Sequence, residues 1–195
     1  MRLIIASNNA HKIYEIKKIL GEKFDEIVSL KEAGIDHETV EDGSSFMENA
    51  VKKAREIAEI SGCHALADDS GICAHALDNA PGIFSARFAG AHGDDEANNR
   101  LLLDKLREKE DKTAHYTCAM ALCYPDGSLV TAEGYMYGSI TYDVRGERGF
   151  GYDPLFVPVG EDRTVAQMTD DEKNAISHRA KALALLLERL GEKGI

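Results

Sequence analysis

The chain of 195 residues is long enough for one domain with a sizeable hydrophobic core. Apolar residues make up 44% of it and charged residues 29%, which excludes the disordered and fibrous classes of protein. Asp and Glu number 34 against 23 Lys and Arg, and the resulting net charge of −11 disfavours binding to nucleic acid or to an anionic membrane surface. A small anionic ligand is still compatible with this charge, because one pocket can be positive inside a negative protein.

Cysteine and histidine spacing gives no sign of a disulfide framework or a zinc site. The four cysteines form no C-x-x-C pair, and the seven histidines form no H-E-x-x-H motif. The sequence also lacks an apolar run of about 7–15 residues, as in a signal peptide, or of about 20 residues, as in a spanning helix. We therefore expect a cytoplasmic protein with reduced thiols.

Helix and strand signals alternate in the first third of the chain. Apolar runs predict strands, and apolar residues at helical spacing predict helices. A capping box at Ser45 to Glu48 marks the start of the clearest helix. The predicted order is a strand Leu3–Ala6, a helix from about Lys12 to Gly21, a strand Glu26–Leu30, a helix that ends at Gly62, and a strand His64–Ala67.

The remainder of the chain adds a hairpin and two further helices. Alternating side chains on both sides of the turn at Pro125 predict an antiparallel pair of strands. A second capping box, Thr169 to Glu172, opens one long final helix with an apolar stripe. The predicted elements are a helix Asp94–Lys109, strands at 116–124 and Leu129–Tyr137, a strand Leu155–Val157 and the final helix. Together they predict an α/β fold with a mixed parallel and antiparallel sheet in a single domain of residues 1–195.

The first candidate for chemistry is the polar loop between the first strand and the first helix. Such a loop offers backbone N–H groups, side-chain donors and a lysine beside a helix N-terminus, which suits a phosphate group. The alternative is an ordinary helix cap with an exposed lysine, and the loop lacks the glycines of a Walker A motif. It consists of Ser7, Asn8, Asn9, Ala10, His11 and Lys12.

The second candidate is a set of carboxylates at Glu41, Asp42, Asp68 and Asp69. The last two are adjacent at the end of a predicted buried strand, where they repel each other unless a cation lies between them. Mg²⁺ prefers oxygen ligands, and one carboxylate can hold the metal while its neighbour takes a proton from water. The alternative is that Asp68 to Gly71 forms a tight turn.

The third candidate combines a glycine-rich loop with polar residues of the last helix. Glycines around Phe150 and Tyr152 let an aromatic ring lie against a planar base while the backbone comes close. The alternatives are a loop anchor and a solvated polar helix face. The residues concerned are Phe150, Gly151, Tyr152, Asp153, Lys173, Ser177, His178 and Arg179.

Taken in order, these motifs resemble those of one family, the inosine-triphosphate pyrophosphatases, also called XTP/dITP diphosphatases. The resemblance runs from Ser7 to Arg179 and includes an Ala80-Pro81-Gly82 motif followed by Ser85, Ala86 and Arg87. It implies an elongated mixed α/β fold of two lobes with the site in the cleft between them, and a homodimer. The implied reaction is Mg²⁺-dependent hydrolysis of ITP, dITP or XTP to the monophosphate and pyrophosphate.

The resemblance also implies a role for each matching residue. Glu41 and Asp69 would hold Mg²⁺, with Asp68 as a further candidate ligand, and Asp69 would be the proton acceptor. Lys53 is a weaker candidate for a phosphate or carboxylate contact. The substrate-binding set implied is Ser7, Asn8, Asn9, Ala10, His11, Lys12, Ser70, Phe150, Gly151, Tyr152, Asp153, Lys173, His178 and Arg179.

Two other functions are weighed against this one. A pyrophosphatase for modified pyrimidine or methylated nucleotides would share the acidic pair but lack the segment Ser177-His178-Arg179. A catalytically inactive nucleotide-binding regulator would keep the donors but could lose the metal carboxylates. The presence of both sets favours the purine enzyme.

Overall fold

The computed structural model describes residues 2–21 and 23–192. Over these residues a six-stranded sheet of order β2-β1-β3-β4-β5-β6 is combined with α helices and three short 3₁₀ segments. β1 is parallel to β2 and β3, and β6 is antiparallel to β5, so the predicted mixed α/β fold is confirmed. The elements are β1 Arg2–Ile5, α1 Ala10–Leu20, β2 Glu26–Ser29, α2 Phe46–Ser61, β3 His64–Ala74, α3 Asp95–Leu106, β4 Thr113–Cys123, β5 Leu129–Ile140, β6 Phe156–Pro158, α4 Asp170–Ile176 and α5 His178–Glu192, with 3₁₀ segments His75–Leu77, Gly82–Arg87 and Val165–Gln167.

The largest differences between the predicted elements and the structure concern β3 and the final helix. β3 does not end at Ala67 but continues through the acidic motif to Ala74, so the alternative of a tight turn at Asp68 to Gly71 is wrong. The long final helix is interrupted at Ser177, whose extended backbone (φ −66°, ψ 151°) separates α4 from α5. The capping box at Thr169 and Glu172 is confirmed. At Ser45 only half of the predicted box forms, because the Glu48 carboxylate accepts from Ser44 instead.

The chain divides into two compact units. Unit 1 comprises the residues up to Asp69, Cys118–Gly134 and the residues from Arg179 onward, and unit 2 comprises Ser70–Thr117 and Tyr135–His178. Three strands, β3, β4 and β5, contribute residues to both units.

In unit 1 the central strands are buried on both faces. Leu3 and Ile5 of β1 point into a core with α1 and α5, whereas Ile4 points into a second core with α2. This alternation follows from the two-residue period of a strand, and it explains why the strand reads as a continuous apolar run. Consecutive side chains of β3, including Asp68 and Asp69, alternate between the two faces in the same way.

Unit 2 has a core of its own. Its buried side chains include Tyr116, Tyr152 and Phe156, with Leu102 and Leu106 from α3. Across residues 2–21 and 23–192, none of the helices has both the length and the apolar character needed to cross a membrane.

Candidate functional site

The loop between β1 and α1 is a tightly hydrogen-bonded helix cap. Asn9 is the N-cap residue, and its Oδ1 accepts from the backbone N–H groups of His11 and Lys12 at 3.0 and 3.2 Å. The N–H of Asn9 in turn donates to Ser7 Oγ at 3.1 Å. The expectation that the loop keeps its backbone N–H groups available for a phosphate is therefore wrong for His11 and Lys12. Asn8, Asn9, Ala10 and His11 are exposed, and Ser7 is half-buried.

Lys12 differs from the exposed lysine of the capping alternative. Its ammonium lies 3.1 Å from Asp68 Oδ2, and its side chain is only 14% exposed. The loop is thus both a cap and a means of directing one lysine toward a buried carboxylate.

Asp68 is fully buried and paired with two cationic side chains. Its Oδ2 accepts from Arg179 Nη2 at 3.1 Å and lies beside Lys12, while the second carboxylate at Arg179 comes from Glu15 of α1. Burial by itself would favour the neutral acid, but the charges of Lys12 and Arg179 outweigh it and hold the pKa of Asp68 below its usual range. Asp68 is therefore a permanent anion at neutral pH.

Arg179, which the sequence predicts to be a substrate contact, is buried in an ion-pair cluster. Its side chain is 1% exposed, and it lies between the carboxylates of Asp68 and Glu15. The solvated helix face proposed as an alternative is also wrong, because Lys173, Ser177, His178 and Arg179 are all buried. In this arrangement Arg179 orients Asp68 and neutralises it.

Asp69 follows Asp68 directly in β3, so its side chain leaves the strand on the opposite face. There Asn49 of α2 donates its Nδ2–H to Asp69 Oδ2 at 2.9 Å, and Asn49 Oδ1 accepts from the N–H of Gly43. Burial raises the pKa of Asp69 above its ordinary value, and the nearby Glu41 adds to this effect against the opposing charges of Lys53 and Lys12. The two neighbours thus have pKa values shifted in opposite directions.

Lys53 of α2 lies between the two acidic residues expected to hold a metal. Its ammonium is 2.5 Å from Glu41 Oε1 and 4.0 Å from Asp69 Oδ1, which confirms the predicted carboxylate contact. Burial disfavours the charged lysine, but the surrounding carboxylates raise its pKa. Asp42 lies apart from this group, in a surface ion pair with Lys52 at 2.6 Å.

The donor set of this cluster suits a hard cation. Glu41 and Asp69, on either side of Lys53, offer only carboxylate oxygens, the ligand type that Mg²⁺ prefers, and Asp68 offers the same type on the other face of β3. In the part of the chain that the structure describes, Asp68 Oδ1 is buried and has no hydrogen-bond partner. The same residues contain no group of three His, Cys, Asp or Glu side chains already gathered as a metal site. Lys53 currently provides the positive charge between Glu41 and Asp69.

Unit 2 contains a second cluster, centred on Asp153. Asp153 Oδ2 accepts from the N–H of Phe150 at 3.0 Å and from Lys173 Nζ at 2.9 Å. Its Oδ1 accepts from the hydroxyl of Tyr116 at 3.3 Å. Asp153 therefore holds the glycine-rich loop against α4, which contributes Lys173.

The two aromatic residues of this loop have different environments. Lys173 Nζ lies 4.7 Å from the centre of the half-buried Phe150 ring, in cation–π contact with one face. Tyr152 is 4% exposed, and its hydroxyl donates to the backbone oxygen of Ser85 at 2.8 Å. Tyr152 is therefore a loop anchor, which leaves Phe150 as the ring available for stacking.

His178 and Ser70 complete the predicted set in unit 2. The His178 ring stacks on Tyr116 with centroids 4.7 Å apart and an interplanar angle of 10°. Ser70 lies in β3 immediately after Asp69 and is half-buried. Gly151 is fixed by α3, because its N–H donates to Asp95 and its oxygen accepts from Asn99.

Several residues that shape these clusters were not singled out from the sequence. Asn49 directly follows the capping box at Ser45 to Glu48, yet nothing in the sequence indicated that its amide would reach Asp69. A buried polar residue among the apolar positions of α2 is the signal that could have identified it. The others are Glu15, Tyr116, Asp95 and Asn99, whose partners are distant in sequence.

Comparison with known proteins identifies close relatives over nearly the whole chain. The sequence model of the Ham1 family matches residues 3–189. A dITP/XTP pyrophosphatase of Leifsonia xyli is 48% identical over 96% of this chain and 94% of its own length, and one of Clostridium perfringens is 47% identical over 100% and 98%. Among solved structures, the Staphylococcus aureus Ham1 protein superposes with a TM-score of 0.89 at 38% identity, covering 99% of this chain and 100% of its own. A nucleoside-triphosphatase / dITP/XTP pyrophosphatase from Mycobacterium abscessus gives 0.79 at 45% identity, covering 96% and 99%.

Proposed function

The chain belongs to the Ham1 family, and from this we propose that it hydrolyses non-standard purine nucleoside triphosphates to the monophosphate and pyrophosphate. The family resemblance read from the sequence motifs is thereby confirmed. The substrates we propose are dITP, XTP and ITP, the first two being those in the names of the relatives. The observation that carries the proposal is the arrangement of Asp68 and Asp69, which are adjacent in β3 but have different contacts. Asp68 contacts Lys12 and Arg179, whereas Asp69 accepts from Asn49 and lies 4.0 Å from Lys53.

Opposed pKa values in neighbouring carboxyl groups separate their roles. A group that must accept a proton works best with a pKa raised toward the working pH, whereas a group that holds cationic side chains in place works best permanently ionised. Asp69 fits the first description and Asp68 the second. We assign Asp69 as the proton acceptor that activates the attacking water.

The proton from water is assigned to the carboxylate of Asp69, which Asn49 positions through Oδ2. The activated water attacks the α-phosphorus, and the bond from that phosphorus to the bridging oxygen breaks, so the bridging oxygen leaves with pyrophosphate. Lys12, directed by Asp68, stabilises the negative charge that develops on the phosphate oxygens.

Mg²⁺ is the cofactor we propose, held by Glu41 and Asp69 with Asp68 as a further candidate. When bound, it would neutralise phosphate oxygens and lower the pKa of a coordinated water. Because Lys53 contacts Glu41, its ammonium is the local charge with which the cation competes.

The cluster of unit 2 is our candidate for recognition of the purine. Phe150 offers a ring for stacking, and His178 offers a buried polar group. A hydrogen-bond donor placed for the 6-oxo group of inosine or xanthine would face the 6-amino group of adenine. It would then be left without an acceptor, and this penalty can support a ratio of about 10⁴ in kcat/KM between the two kinds of purine. Stacking adds affinity for every purine alike.

A cytoplasmic location and a homodimer are further proposals. All four cysteines are free thiols, which supports a reducing compartment. Light scattering would test the dimer by giving twice the 21.3 kDa of one chain.

The proposal is tested by pyrophosphate release with Mg²⁺ across ITP, dITP, XTP, GTP, ATP and dUTP. We expect ITP, dITP and XTP to exceed ATP by about 10⁴ in kcat/KM. Equal rates across the panel, or orthophosphate as the product, would overturn the assignment.

A further inference from the structure

Unit 2 carries a pair of histidines that the proposed hydrolysis does not use. His75 follows β3 at the start of a 3₁₀ segment, and His115 lies on β4. His75 Nε2 and His115 Nδ1 are 2.8 Å apart, and the ring centroids are 5.1 Å apart. His75 is exposed and His115 half-buried, so solvent reaches the pair.

The neighbours of His75 determine which of its nitrogens carries the proton. Thr113 donates its hydroxyl proton to Asp111 Oδ1 at 2.7 Å. The Thr113 oxygen, 2.8 Å from His75 Nδ1, must then accept the hydrogen on that nitrogen. In the neutral ring Nε2 is therefore left with its lone pair, directed at His115.

Asp111, Thr113 and His75 form a hydrogen-bonded chain of carboxylate, hydroxyl and imidazole, and such a chain can orient a metal-binding histidine. Metal-ligating histidines regularly donate their other N–H to a carboxylate, a carbonyl or water, which fixes the tautomer and raises the basicity of the free nitrogen. Here Asp111 and Thr113 provide that support to His75.

The second imidazole is also suited to act as a ligand. His115 is half-buried on β4, and its Nδ1 faces His75. Its ring is flanked by Tyr135 and Tyr137 of β5, with centroids 6.0 and 5.5 Å away. The tyrosines restrict the ring without supplying a competing cation.

We propose that His75 Nε2 and His115 Nδ1 together bind one divalent transition-metal ion of the Ni²⁺, Cu²⁺ and Zn²⁺ class. Two imidazole nitrogens at about 2.0–2.1 Å from one metal, in neighbouring coordination positions, lie roughly 3 Å apart. The observed 2.8 Å between the two nitrogens is close to that spacing. Both rings must turn from the present hydrogen bond so that the two lone pairs converge on the metal. Water fills the other positions.

Binding changes the proton on one ring. Without metal, His115 Nδ1–H donates to His75 Nε2. When both nitrogens bind the metal, that proton is lost from Nδ1 and another is taken up from solvent at Nε2, so the neutral ring changes tautomer without a net change in charge.

The ligand type separates this site from the acidic cluster of unit 1. Imidazole suits Ni²⁺, Cu²⁺ and Zn²⁺, whereas Mg²⁺ prefers carboxylate and water oxygens. The acidic cluster contains no histidine among the contacts described above. The two sites should therefore differ in metal preference and respond to different substitutions.

Calorimetric titration of the tag-free protein with Ni²⁺, in excess Mg²⁺ to occupy the acidic cluster, tests the proposal. We expect one Ni²⁺ ion per chain in the wild type, and an affinity at least about tenfold lower in His75→Ala and in His115→Ala. His92→Ala is the matched control, since His92 is another exposed histidine of unit 2, and it should bind like the wild type. Thr113→Val should weaken binding by about tenfold through loss of orientation.

Two further measurements distinguish loss of the metal site from a general loss of structure in a variant. Circular dichroism establishes that each variant is folded, and nitrogen NMR of the histidine rings should show the His115 tautomer change when Ni²⁺ is added. Asp69→Asn should retain Ni²⁺ binding. Equal Ni²⁺ affinity in the wild type and both histidine variants, or loss of binding in Asp69→Asn, would contradict the site.

Discussion

Asp68 and Asp69 are consecutive in β3, yet their carboxylates lie on opposite faces of the strand. Asp68 contacts Lys12 and Arg179, whereas Asp69 accepts from Asn49. Alternation along the strand separates the two carboxylates and reduces their mutual repulsion. Each carboxylate has its own set of partners.

This separation predicts opposite effects on stability for two matched substitutions in protein free of divalent cations. Asp68→Asn removes one member of a buried ion pair and should lower the free energy of unfolding by about 3 kcal/mol or more at pH 7. Asp69→Asn removes a carboxylate whose ionised form is disfavoured by burial, so it should be at least as stable as the wild type. Urea denaturation of both variants measures the difference.

The pH dependence provides the control for that comparison. The pKa of Asp68 is lowered by folding, so its contribution is present above the unfolded value and is lost as the pH falls through the folded one. The pKa of Asp69 is raised by folding, so its contribution is present in acid and is lost as the pH rises through the folded value. The advantage of Asp69→Asn should therefore disappear below about pH 4. A greater loss of stability at pH 7 in Asp69→Asn than in Asp68→Asn would contradict this account.

Asn49 should affect the rate more than substrate binding. It is 1% exposed and fixes Asp69 Oδ2, so Asn49→Ala should lower kcat for ITP by about 10- to 100-fold while KM changes little. Asn98→Ala is the control, because Asn98 is equally buried but bonds to the backbone of Ala89 and Ala86. Similar kcat values in the two variants would exclude a positioning role for Asn49.

The glycine-rich loop offers a matched pair of backbone substitutions. Gly149 and Gly151 both have positive φ, 76° and 63°, so alanine costs about 1 kcal/mol at either position. A Cβ at Gly149 would also collide with Asp153 Oδ2, whereas at Gly151 it would have nothing within 4 Å. Thermal unfolding should therefore show a clearly larger loss of stability for Gly149→Ala, by about 1–3 kcal/mol. Equal losses would indicate that Asp153 does not hold the loop.

Phe150 should contribute to the binding of all purine substrates alike. Loss of a base-stacking ring typically costs about 1–3 kcal/mol. Phe150→Ala should thus raise KM for ITP, XTP and GTP by about tenfold each. Steady-state kinetics on the three substrates measures this, and an effect confined to one base would refute the stacking role.

The sequence predicts most of the helices and strands because their signals are local. Capping residues, apolar periodicity and the turn at Pro125 are each contained within a few residues. The continuation of β3 through Asp68 and Asp69 is not local, since these residues favour a turn on their own and are kept extended by the sheet. The sequence does not predict the break at Ser177, because the helical spacing of apolar residues continues on both sides of it.

The charged residues of the candidate site were predicted as a set, but their pairing was not. Arg179 and Asp68 are separated by 111 positions, and no periodicity links them. Only the folded chain shows that the Arg179 guanidinium pairs with two carboxylates and that the Lys12 ammonium pairs with Asp68. The ionisation of a carboxylate depends on such distant partners, so the contrast between Asp68 and Asp69 could not be derived from their adjacency.

The most direct test of the central claim is hydrolysis of ITP in ¹⁸O-labelled water with Mg²⁺, followed by mass spectrometry of both products. Attack at the α-phosphorus by a water that Asp69 deprotonates predicts that all the label enters the monophosphate and that Asp69→Asn loses nearly all turnover. Label in pyrophosphate, formation of orthophosphate, or near wild-type turnover by Asp69→Asn would contradict it.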